Sequence, residues 1–308
     1  MEKCMVIVNP VSANGRTGRN WPHIAGELKK TGLQFDAQIT SKSGEATLLA
    51  QAALQKGYQT IIAVGGDGTL NEVVNGFFKS EDSRLINPEA RLGLISSGTG
   101  RDFIKTINYS EDIKDVSRIL ARGQVRTIDI GKVSYQNSEG QRAYRYYINV
   151  AGMGMDGETV DRVNRTTKVF GGKVSFLWGT VATLVQYRNR ELALEIDGVT
   201  RYHGEATLVA VANGQYFGGG MRIAPEAKLD SGYFDIIIVD NMAKPDIIAN
   251  LHRIYRGTHL THPKVYLMRG KHVRATSNQR VLLNVDGEQP GVLNAEFELF
   301  PQKLQLIC

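Results

Sequence analysis

A short apolar segment that runs straight into a glycine-rich loop constrains the fold more than any other feature. Residues 60–64 read Thr-Ile-Ile-Ala-Val, and a strand that is apolar after its first residue is typical of burial on both faces. The next five residues, 65–69, include three glycines, and a helical pattern follows at 70–78. A buried strand, a tight turn and a helix in succession indicate a parallel sheet that helices cover on both sides.

The same alternation of strands and helices extends over the first 125 residues. Short links separate the elements, as in sheets built from strand–helix–strand units. We therefore predict an N-terminal α/β domain with a doubly wound parallel sheet at residues 1–125. Its expected strands lie at 5–8, 33–39, 60–64 and 92–95, and its expected helices at 20–30, 43–54, 70–78 and from 110 onward.

After Gly123 strand-like runs dominate, which predicts a second domain of a different class. We expect a mostly antiparallel, β-sandwich-like domain at residues 126–308, with helices at 156–165, 173–187 and 244–256. Two domains agree with a length of 308 residues, because a domain commonly holds about 150. Its expected strands lie at 125–133, 144–150, 192–196, 206–212, 234–239, 281–285 and 296–300.

Composition excludes several classes of protein. Hydrophobic residues make up 42% of the chain, which suffices for a buried core and excludes a disordered chain. The two cysteines, Cys4 and Cys308, cannot form a disulfide framework, so a cytoplasmic location is expected. The longest mostly apolar stretch, 176–185, is shorter than the roughly 20 residues that span a bilayer. We expect no transmembrane segment.

The formal net charge of +6 is unevenly distributed. The window 251–280 holds seven Lys or Arg residues and no Asp or Glu. Such a window could contact an anionic membrane surface or a phosphorylated substrate, or form an ordinary solvated surface. No RNA-binding aromatic signature or helix-turn-helix pattern accompanies it, so nucleic acid is not an expected partner.

The glycine-rich loop also carries side chains that suit phosphate chemistry. Glycines allow backbone N–H groups to approach a ligand closely, and the following helix directs the positive end of its dipole at the same place. A carboxylate such as Asp67 would repel phosphates unless a cation lay between them, which implies Mg²⁺. No Gly-Lys-Ser/Thr follows, so the loop is not a Walker A loop, and its spacing differs from the Rossmann fingerprint.

The loop Gly-Gly-Asp-Gly-Thr-Leu-Asn-Glu at 65–72 resembles the nucleotide signature of the diacylglycerol kinase catalytic-domain family. That family groups bacterial lipid kinases with sphingosine and ceramide kinases. Further motifs that resemble the family follow in its order through most of the chain. They lie at 9–15, 97–103, 149–156, 212–220, 224–232 and 286–288.

The resemblance implies an ATP- and Mg²⁺-dependent lipid kinase. Such an enzyme transfers the γ-phosphoryl group to a lipid hydroxyl, most simply that of diacylglycerol to give phosphatidic acid. It would meet its lipid at the membrane surface as a peripheral protein, and a homodimer is an open expectation. The implied nucleotide contacts are Asn9, Pro10, Ser12, Asn14, Thr40, Gly66, Asp67, Gly68, Thr69, Asn71, Glu72 and Thr99.

The resemblance also implies that Asp67, Asp286 and Glu288 are catalytic, with Glu288 accepting the proton of the lipid hydroxyl. The residues themselves leave two arrangements open. If the segment is extended, alternation along the strand at 281–285 places Asp286 and Glu288 on one face. Alternatively, Asp-Gly forms a hairpin turn and Glu288 is a solvated charge. The residue pattern alone favours the turn.

Two positions depart from the family pattern. Arg101 stands where the second glycine motif usually has Asn. Bacterial relatives also hold a structural Mg²⁺ with a carboxylate at the position that is Ser231 here. A hydroxyl is a weaker ligand for a hard cation than a carboxylate. The implied metal ligands are therefore the carbonyls of Lys228 and Tyr233 together with Ser231, and Asp230 would supply the missing carboxylate.

Two alternatives remain beside the lipid kinase. An NAD kinase shares the Gly-Gly-Asp-Gly signature and the Asn-Glu pair, but its later Gly-Ser-Thr-Ala-Tyr pattern is not found in this sequence. A nucleotide- or lipid-binding regulator with weak catalysis would be consistent with the departures at Arg101 and Ser231. Tight ATP binding without transfer to any lipid would favour the regulator.

Overall fold

The chain folds into two compact units, which are described separately. The structure is a computed structural model that describes residues 4–98, 100–165, 183–184 and 186–308. The first unit comprises Met1–Asp129 with Gln302–Cys308, and the second comprises Ile130–Pro301.

The N-terminal unit is built on a parallel sheet with the strand order β2-β1-β3-β4-β14. Strands β1 and β3 lie inside the sheet, and every residue of both is buried. A central strand covered on both faces needs apolar side chains throughout, which explains the run at 60–64. The strands are β1 (Cys4–Val8), β2 (Phe35–Ile39), β3 (Thr60–Gly65), β4 (Arg91–Ser96) and the end of β14 (Val292–Ile307).

Helices cover both faces of this sheet. The first and fifth, α1 (Arg16–Lys30) and α5 (Ile113–Arg122), share a buried cluster with Val6 and Val8 of β1. On the other face, α2 (Glu45–Gln55) contacts α3 (Asp67–Asn75), β1 and β3. The predicted doubly wound α/β class is therefore confirmed. The unit also contains the short helix α4 (Asp102–Thr106).

The helix α1 begins at Arg16, four residues before the predicted residue 20, and two further helix starts differ because of their caps. The helix after the glycine loop begins at Asp67, three residues before the predicted Leu70, because Gly66 is its N-cap and the loop residues form its first turn. The helix predicted to be capped by Ser110 begins at Ile113, where the Asp112 side chain accepts a hydrogen bond from the N–H of Lys114 at 2.8 Å. Both starts were misplaced because several neighbouring residues could act as the N-cap, and the sequence pattern does not show which of them does.

The second unit is mostly antiparallel, as predicted. Five of its strands follow one another in the order β11-β10-β9-β8-β12, and β12 pairs with β14. The strands are β5 (Val125–Gln136), β6 (Arg142–Tyr147), β7 (Val150–Gly154), β8 (Arg190–Ile196), β9 (Val199–Ala212), β10 (Phe234–Asp240), β11 (Val265–Gly270), β12 (His272–Thr276) and β13 (Leu283–Val285).

Alternating side chains of the central strand β10 divide the hydrophobic interior of this unit into two clusters. Phe234, Ile236 and Ile238 lie in one cluster, and Ile237 lies in the other. In the first cluster the ring of Tyr147 stacks on Phe234 with centroids 5.8 Å apart. The second cluster packs against the helix α7 (Lys244–Arg256) and a short 3-10 helix, His259–Thr261. The helix α6 (Met155–Arg165) contacts β7, β9 and β13.

The chain terminus belongs to the N-terminal unit. Residues 302–308, which the sequence assigned to the second domain, lie in that unit because Gln305 and Leu306 of β14 pair with Arg91 and Leu92 of β4. The helix predicted at 173–187 lies mostly outside the described residues. Within the described part of the chain, no helix is long and apolar enough to cross a membrane.

Candidate active site

The glycine loop after β3 presents an open helix N-terminus. The first intrahelical bond of α3 runs from the N–H of Leu70 to the carbonyl of Gly66 at 3.1 Å. The N–H groups of residues 67–69 therefore have no acceptor within the helix, and the N-cap Gly66 has no side chain to offer one. A helix end of this kind suits a phosphate group.

A second glycine loop, which follows β4, packs directly on the first. A Cβ atom on Gly98 would lie 2.5 Å from the Cα of Gly66, and one on Gly100 would lie 2.8 Å from Oδ2 of Asp67. The two loops follow neighbouring parallel strands, so they meet at the same edge of the sheet. This approach of the two backbones requires glycine at position 98, whereas a Cβ on Gly66 would make an ordinary contact 3.6 Å from the Cα of Gly98.

Asp67 bridges the two loops. Its carboxylate accepts hydrogen bonds from the N–H of Asp102 at 3.3 Å and of Phe103 at 3.2 Å, at the start of α4. Both bonds are long and each oxygen accepts one of them, so lone pairs remain on a partly exposed carboxylate. Carboxylate oxygens are the ligands that Mg²⁺ prefers. The donors at Asp67 therefore fit this cation.

The opening loop at 9–17 is tied to the glycine loops. The Asn9 amide donates to Oγ1 of Thr69 at 2.9 Å. The Ser12 hydroxyl donates to the carbonyl of Asn9 at 3.1 Å, and the hydroxyls of Thr17 and Ser97 lie 2.7 Å apart. The structure thus brings Ser12 and Thr69 together through Asn9.

The other expected contacts of the opening region are mainly backbone features. The carbonyl of Pro10 accepts a hydrogen bond from Gly18, and Asn14 adopts a left-handed conformation with φ 57° before α1. Thr40 is buried, and its hydroxyl lies 3.4 Å from the carbonyl of Val8. Thr99 lies outside the described residues.

Asn71 and Glu72 have structural roles that the sequence did not predict. Asn71 is fully buried, and its carbonyl accepts a hydrogen bond from the Asn75 amide at 2.8 Å. The Glu72 carboxylate accepts bonds from the N–H groups of Gly44 at 2.9 Å and Ala46 at 3.2 Å. Glu72 therefore caps the N-terminus of α2, a contact between residues about 28 positions apart that local spacing does not reveal.

Arg101, the first departure from the family pattern, is held by local contacts. Its backbone is left-handed with φ 57°, a conformation that Asn adopts more readily than other non-glycine residues. Its guanidinium donates to the carbonyl of Gly98 at 3.1 Å and pairs with Glu111. The charge of Arg101 is thus partly offset within the loop.

Asp286 and Gly287 form a hairpin turn. Both have positive φ angles, 48° and 91°, as the central residues of a type I′ turn require. The N–H of Val285 donates to the carbonyl of Glu288 at 2.8 Å, and the reverse bond measures 3.0 Å. Of the two arrangements left open by the sequence, the structure has the turn, so Asp286 and Glu288 do not alternate along one extended strand.

The two carboxylates at this turn have different environments. Asp286 accepts hydrogen bonds from the N–H groups of Ile148, Asn149 and Val150 at 3.0, 3.1 and 3.0 Å. Glu288 is exposed, and its carboxylate has no hydrogen bond or ion pair with any described residue. Asp286 therefore anchors the turn, and Glu288 is available to a ligand.

Two buried polar residues next to this turn were not singled out from the sequence. Asn284 donates its amide to Oδ2 of Asp156 at 2.7 Å, and its oxygen accepts the N–H of Gly287 at 2.9 Å. Burial raises the pKa of Asp156 to about 7, although the bond from Asn284 opposes the shift. The sequence did contain a signal for Asn284, because it is the one polar residue in the apolar strand that precedes Asp-Gly-Glu.

An apolar cavity lies beneath α7 in the second unit. Its volume is about 90 Å³, and it opens to solvent at its mouth. Asp156 reaches its wall from α6, and Arg253, His259 and His262 are its other titratable lining residues. Its apolar lining is formed by Met155, Leu208, Phe217, Met221, Val239, Met242, Ile247, Leu251, Ile254 and Val265.

The loop expected to hold a structural Mg²⁺ is closed by its own serine. The Ser231 hydroxyl donates to the carbonyl of Tyr233 at 2.9 Å, and the Ser231 N–H donates to the carbonyl of Lys228 at 3.2 Å. Hydrogen atoms therefore point at both expected carbonyl ligands, while Asp230 is exposed. Among the described residues no group of three His, Cys, Asp or Glu could hold a metal ion. A carbonyl oxygen that accepts one hydrogen bond keeps a second lone pair, so the metal set of Lys228, Asp230, Ser231 and Tyr233 stays a prediction.

The basic window at 251–280 does not form a surface of one charge. Arg269 pairs with Asp235 and Glu226 at 2.8 Å each. Arg274 pairs with Glu296 at 3.3 Å. Acidic residues from other strands thus offset part of the charge that the sequence concentrates here.

Comparison with known proteins identifies the relatives of this chain. Residues 3–133 match the diacylglycerol kinase catalytic domain, and residues 149–308 match the YegS C-terminal NAD kinase beta sandwich-like domain. The diacylglycerol kinase of Staphylococcus carnosus (strain TM300) is 33% identical over 307 residues, which cover 99% of this chain and 94% of that protein.

Solved structures agree with this relationship. A crystal structure from Bacillus anthracis str. Sterne, provisionally named a diacylglycerol kinase, has a TM-score of 0.79 and 25% identity, covering 99% of this chain and 95% of that one. Yeast NADH kinase in complex with NADH has a TM-score of 0.55 and 10% identity, covering 99% and 82%, and shares the fold alone. The chain belongs to the diacylglycerol kinase family, and both of its glycine loops lie in the catalytic domain of that family.

Proposed function

We propose that this protein is an ATP- and Mg²⁺-dependent lipid kinase that transfers the γ-phosphoryl group of ATP to a lipid hydroxyl. The observation that supports the proposal most strongly is the open N-terminus of α3, between two glycine loops and beside Asp67. Phosphoryl transfer depends mainly on positioning and on offsetting charge, which such a site provides. Diacylglycerol is the first acceptor to test, with phosphatidic acid as its product.

The nucleotide would be held in the N-terminal unit. The N–H groups of residues 67–69 would donate to its phosphates, and Asn9 and Ser12 would line the same loops. Mg²⁺, when bound, would offset the repulsion between the phosphates and a carboxylate, and Asp67 is the residue that would hold it. Asn71 and Glu72 would stabilise the elements around this site rather than contact the nucleotide, because Asn71 is buried and Glu72 caps α2.

The acceptor would place its hydrocarbon chain in the cavity beneath α7. Ten of the lining residues are apolar side chains of Met, Leu, Phe, Val and Ile, and burial of hydrocarbon against them supplies favourable free energy in proportion to its area. A dinucleotide acceptor, as in an NAD kinase, would need polar partners for its ribose and phosphate groups. The cavity lining favours a lipid, and a lipid acceptor would bring the enzyme to a membrane surface.

Glu288 would accept the proton of the lipid hydroxyl. Its carboxylate is exposed and has no partner among the described residues, whereas the carboxylate of Asp286 is taken up by three backbone N–H groups. A positioned carboxylate base typically accelerates such a transfer by about 10²–10⁴-fold. Asp286 would set the position of Glu288 by anchoring the turn.

The test is transfer of labelled phosphate from γ-labelled ATP with Mg²⁺. Mixed micelles would carry a total lipid extract, purified diacylglycerol, a sphingoid base or an isoprenoid alcohol, and NAD would be the acceptor of contrasting class. The proposal expects one labelled lipid and no labelled NADP. Labelled NADP would show an NAD kinase instead. ATP binding without a labelled product from any acceptor would favour the regulator.

A further inference from the structure

Three polar groups, two of them on buried side chains, form a continuous series of hydrogen bonds behind the turn that carries Glu288. Oδ2 of Asp156 accepts the Asn284 amide at 2.7 Å, and Oδ1 of Asn284 accepts the N–H of Gly287 at 2.9 Å. The Asn284 amide has a donor end and an acceptor end, and only one of its two orientations satisfies both neighbours. The Asp156 carboxylate therefore fixes the orientation of the Asn284 amide. In that orientation the Asn284 oxygen can accept the hydrogen bond from the Gly287 N–H.

The surrounding backbone fixes this geometry. A Cβ on Gly152 would lie 2.0 Å from Oδ2 of Asp156, and a Cβ on Gly157 would lie 2.3 Å from the carbonyl of Leu282. The helix α6 thus lies directly on the backbones of β7 and the segment before β13. The side chains of Asp156 and Asn284 are 4% and 2% exposed, so neither can relax toward solvent.

We infer that Asp156 is a positioning residue that acts through Asn284 to hold the Asp286–Gly287 turn, and with it Glu288, in its working position. The inference rests on the proposed function, because it needs Glu288 to act in the transfer. It adds a residue of helix α6, 128 positions before Asn284 in the chain, that has no hydrogen bond to Glu288 within the described part of the chain.

The strength of the hydrogen bond between Asn284 and Asp156 depends on the charge of Asp156. A hydrogen bond to an ionised carboxylate is roughly twice as strong as one between neutral groups. Burial raises the pKa of Asp156 to about 7, so the bond changes its strength near neutral pH. We expect turnover to fall as pH falls through that range.

Charged groups around Asp156 are few, which makes its titration separable from others. Strands β7 and β13 and the adjoining part of β9, 206–212, contain no charged residue. Titratable or charged groups on its own helix, at the turn and on the cavity wall include Glu158, Asp161, Arg162, Asp286, Arg253, His259 and His262, and no charge–charge interaction adds to the shift of the Asp156 pKa. The pKa of His259 is lowered by burial.

The first experiment compares Asp156→Asn with the wild type, using the phosphate-transfer assay across a range of pH. The amide keeps the shape and an acceptor oxygen but has no charge. We expect kcat to fall about tenfold, a part of the roughly 10²–10⁴-fold that a general base supplies. KM for ATP should stay unchanged, and the fall in kcat near pH 7 should disappear. Asp161→Asn, on the same helix with the same change of charge, should retain the wild-type profile.

A double-mutant cycle tests whether Asp156 and Asn284 affect kcat through the same series of hydrogen bonds or independently of each other. Asn284→Ala removes the link, so Asp156→Asn should have no further effect on kcat in that background. If instead the two losses multiply, Asp156 acts by another route and the inference is overturned. Wild-type kcat and an unchanged pH profile in Asp156→Asn would overturn it as well.

A measurement that needs no activity distinguishes failure of this inference from failure of the proposed function. The backbone amide resonance of Gly287 should shift with pH near 7 in the wild type and should not do so in Asp156→Asn. A titrating resonance in a protein that phosphorylates no lipid would overturn the proposed function and leave the chain of bonds intact. A resonance that does not titrate in the wild type would overturn the inference, whatever the activity.

Discussion

Gly98 lies so close to Gly66 that a Cβ atom on it would be 2.5 Å from the Cα of Gly66. The nearest atoms are backbone atoms of the loop that starts α3, and these cannot move aside without displacing the helix N-terminus. We therefore predict that Gly98→Ala weakens ATP binding by tenfold or more and lowers the free energy of unfolding by about 1–3 kcal/mol. Calorimetric titration with ATP and chemical denaturation measure the two effects.

Gly26→Ala is the matched control for that substitution. Gly26 lies inside α1, has no atom within 4 Å of the position a Cβ would take, and does not have a positive φ angle. Alanine there should leave ATP affinity unchanged and raise the free energy of unfolding by up to about 1 kcal/mol. Equal ATP affinity in both variants would show that the contact between the glycine loops does not shape the nucleotide site.

Glu72 caps α2, so its loss should affect stability more than nucleotide binding. Glu72→Ala removes the acceptor for the N–H groups of Gly44 and Ala46, and we expect the free energy of unfolding to fall by about 1 kcal/mol. The dissociation constant for ATP should change less than about twofold. The exposed Glu89 provides the control Glu89→Ala, which should be neutral. A large loss of ATP affinity in Glu72→Ala would return Glu72 to the nucleotide contacts.

Substitutions at Glu288 and Asp286 distinguish a catalytic role from a structural role within the same turn. Glu288→Gln should lower kcat by about 100-fold or more and leave ATP affinity and stability as they are, because the side chain is exposed and unpaired among the described residues. Asp286→Asn replaces an acceptor for three backbone N–H groups, and we expect a loss of about 1–3 kcal/mol in unfolding free energy.

Kinetic and denaturation measurements on both variants distinguish the two roles. If Glu288→Gln lost turnover and ATP affinity to the same degree, a structural role would replace the catalytic one. If Asp286→Asn kept full stability, the three hydrogen bonds would not anchor the turn.

Stability should depend on pH through Asp156. Burial raises its pKa from the ordinary 3.8 to about 7, so between these values the folded chain binds more protons than the unfolded chain. The free energy of unfolding therefore falls as pH rises through that window, by about 1 kcal/mol per unit where the slope is steepest, and levels off above 7. Asp156→Asn should lack this slope, so its stability relative to the wild type should increase from pH 4 to 7. Parallel curves for the two proteins in denaturation series would contradict the prediction.

The sequence predicted the fold class well because its signals were local. The apolar run at 60–64, for example, is a central strand, and the predicted 244–256 helix is α7 with the same bounds. Alternation along β10 likewise places its side chains in two separate clusters. Patterns of this kind depend on a few consecutive residues and on burial, which the chain itself encodes.

The site was predicted less completely because several of its contacts join distant parts of the chain. The capping of α2 by Glu72 and the bond between Asp156 and Asn284 each connect separate elements. No spacing rule could reveal either. At Asp286 the residue pattern favoured the turn that the structure has, whereas the extended arrangement needed a shared strand face that positive φ angles exclude.

The helix that covers the apolar cavity, α7, contributes only partly buried side chains to the packing. None of the residues of α7 is buried, and the side chain of Ile248 on it is 58% exposed. A helix with so few buried contacts opens locally at a smaller free energy than the strands beneath it. We expect its amide hydrogens to exchange with solvent before those of β10, so the wall of the cavity that α7 forms should open locally while the sheet stays folded.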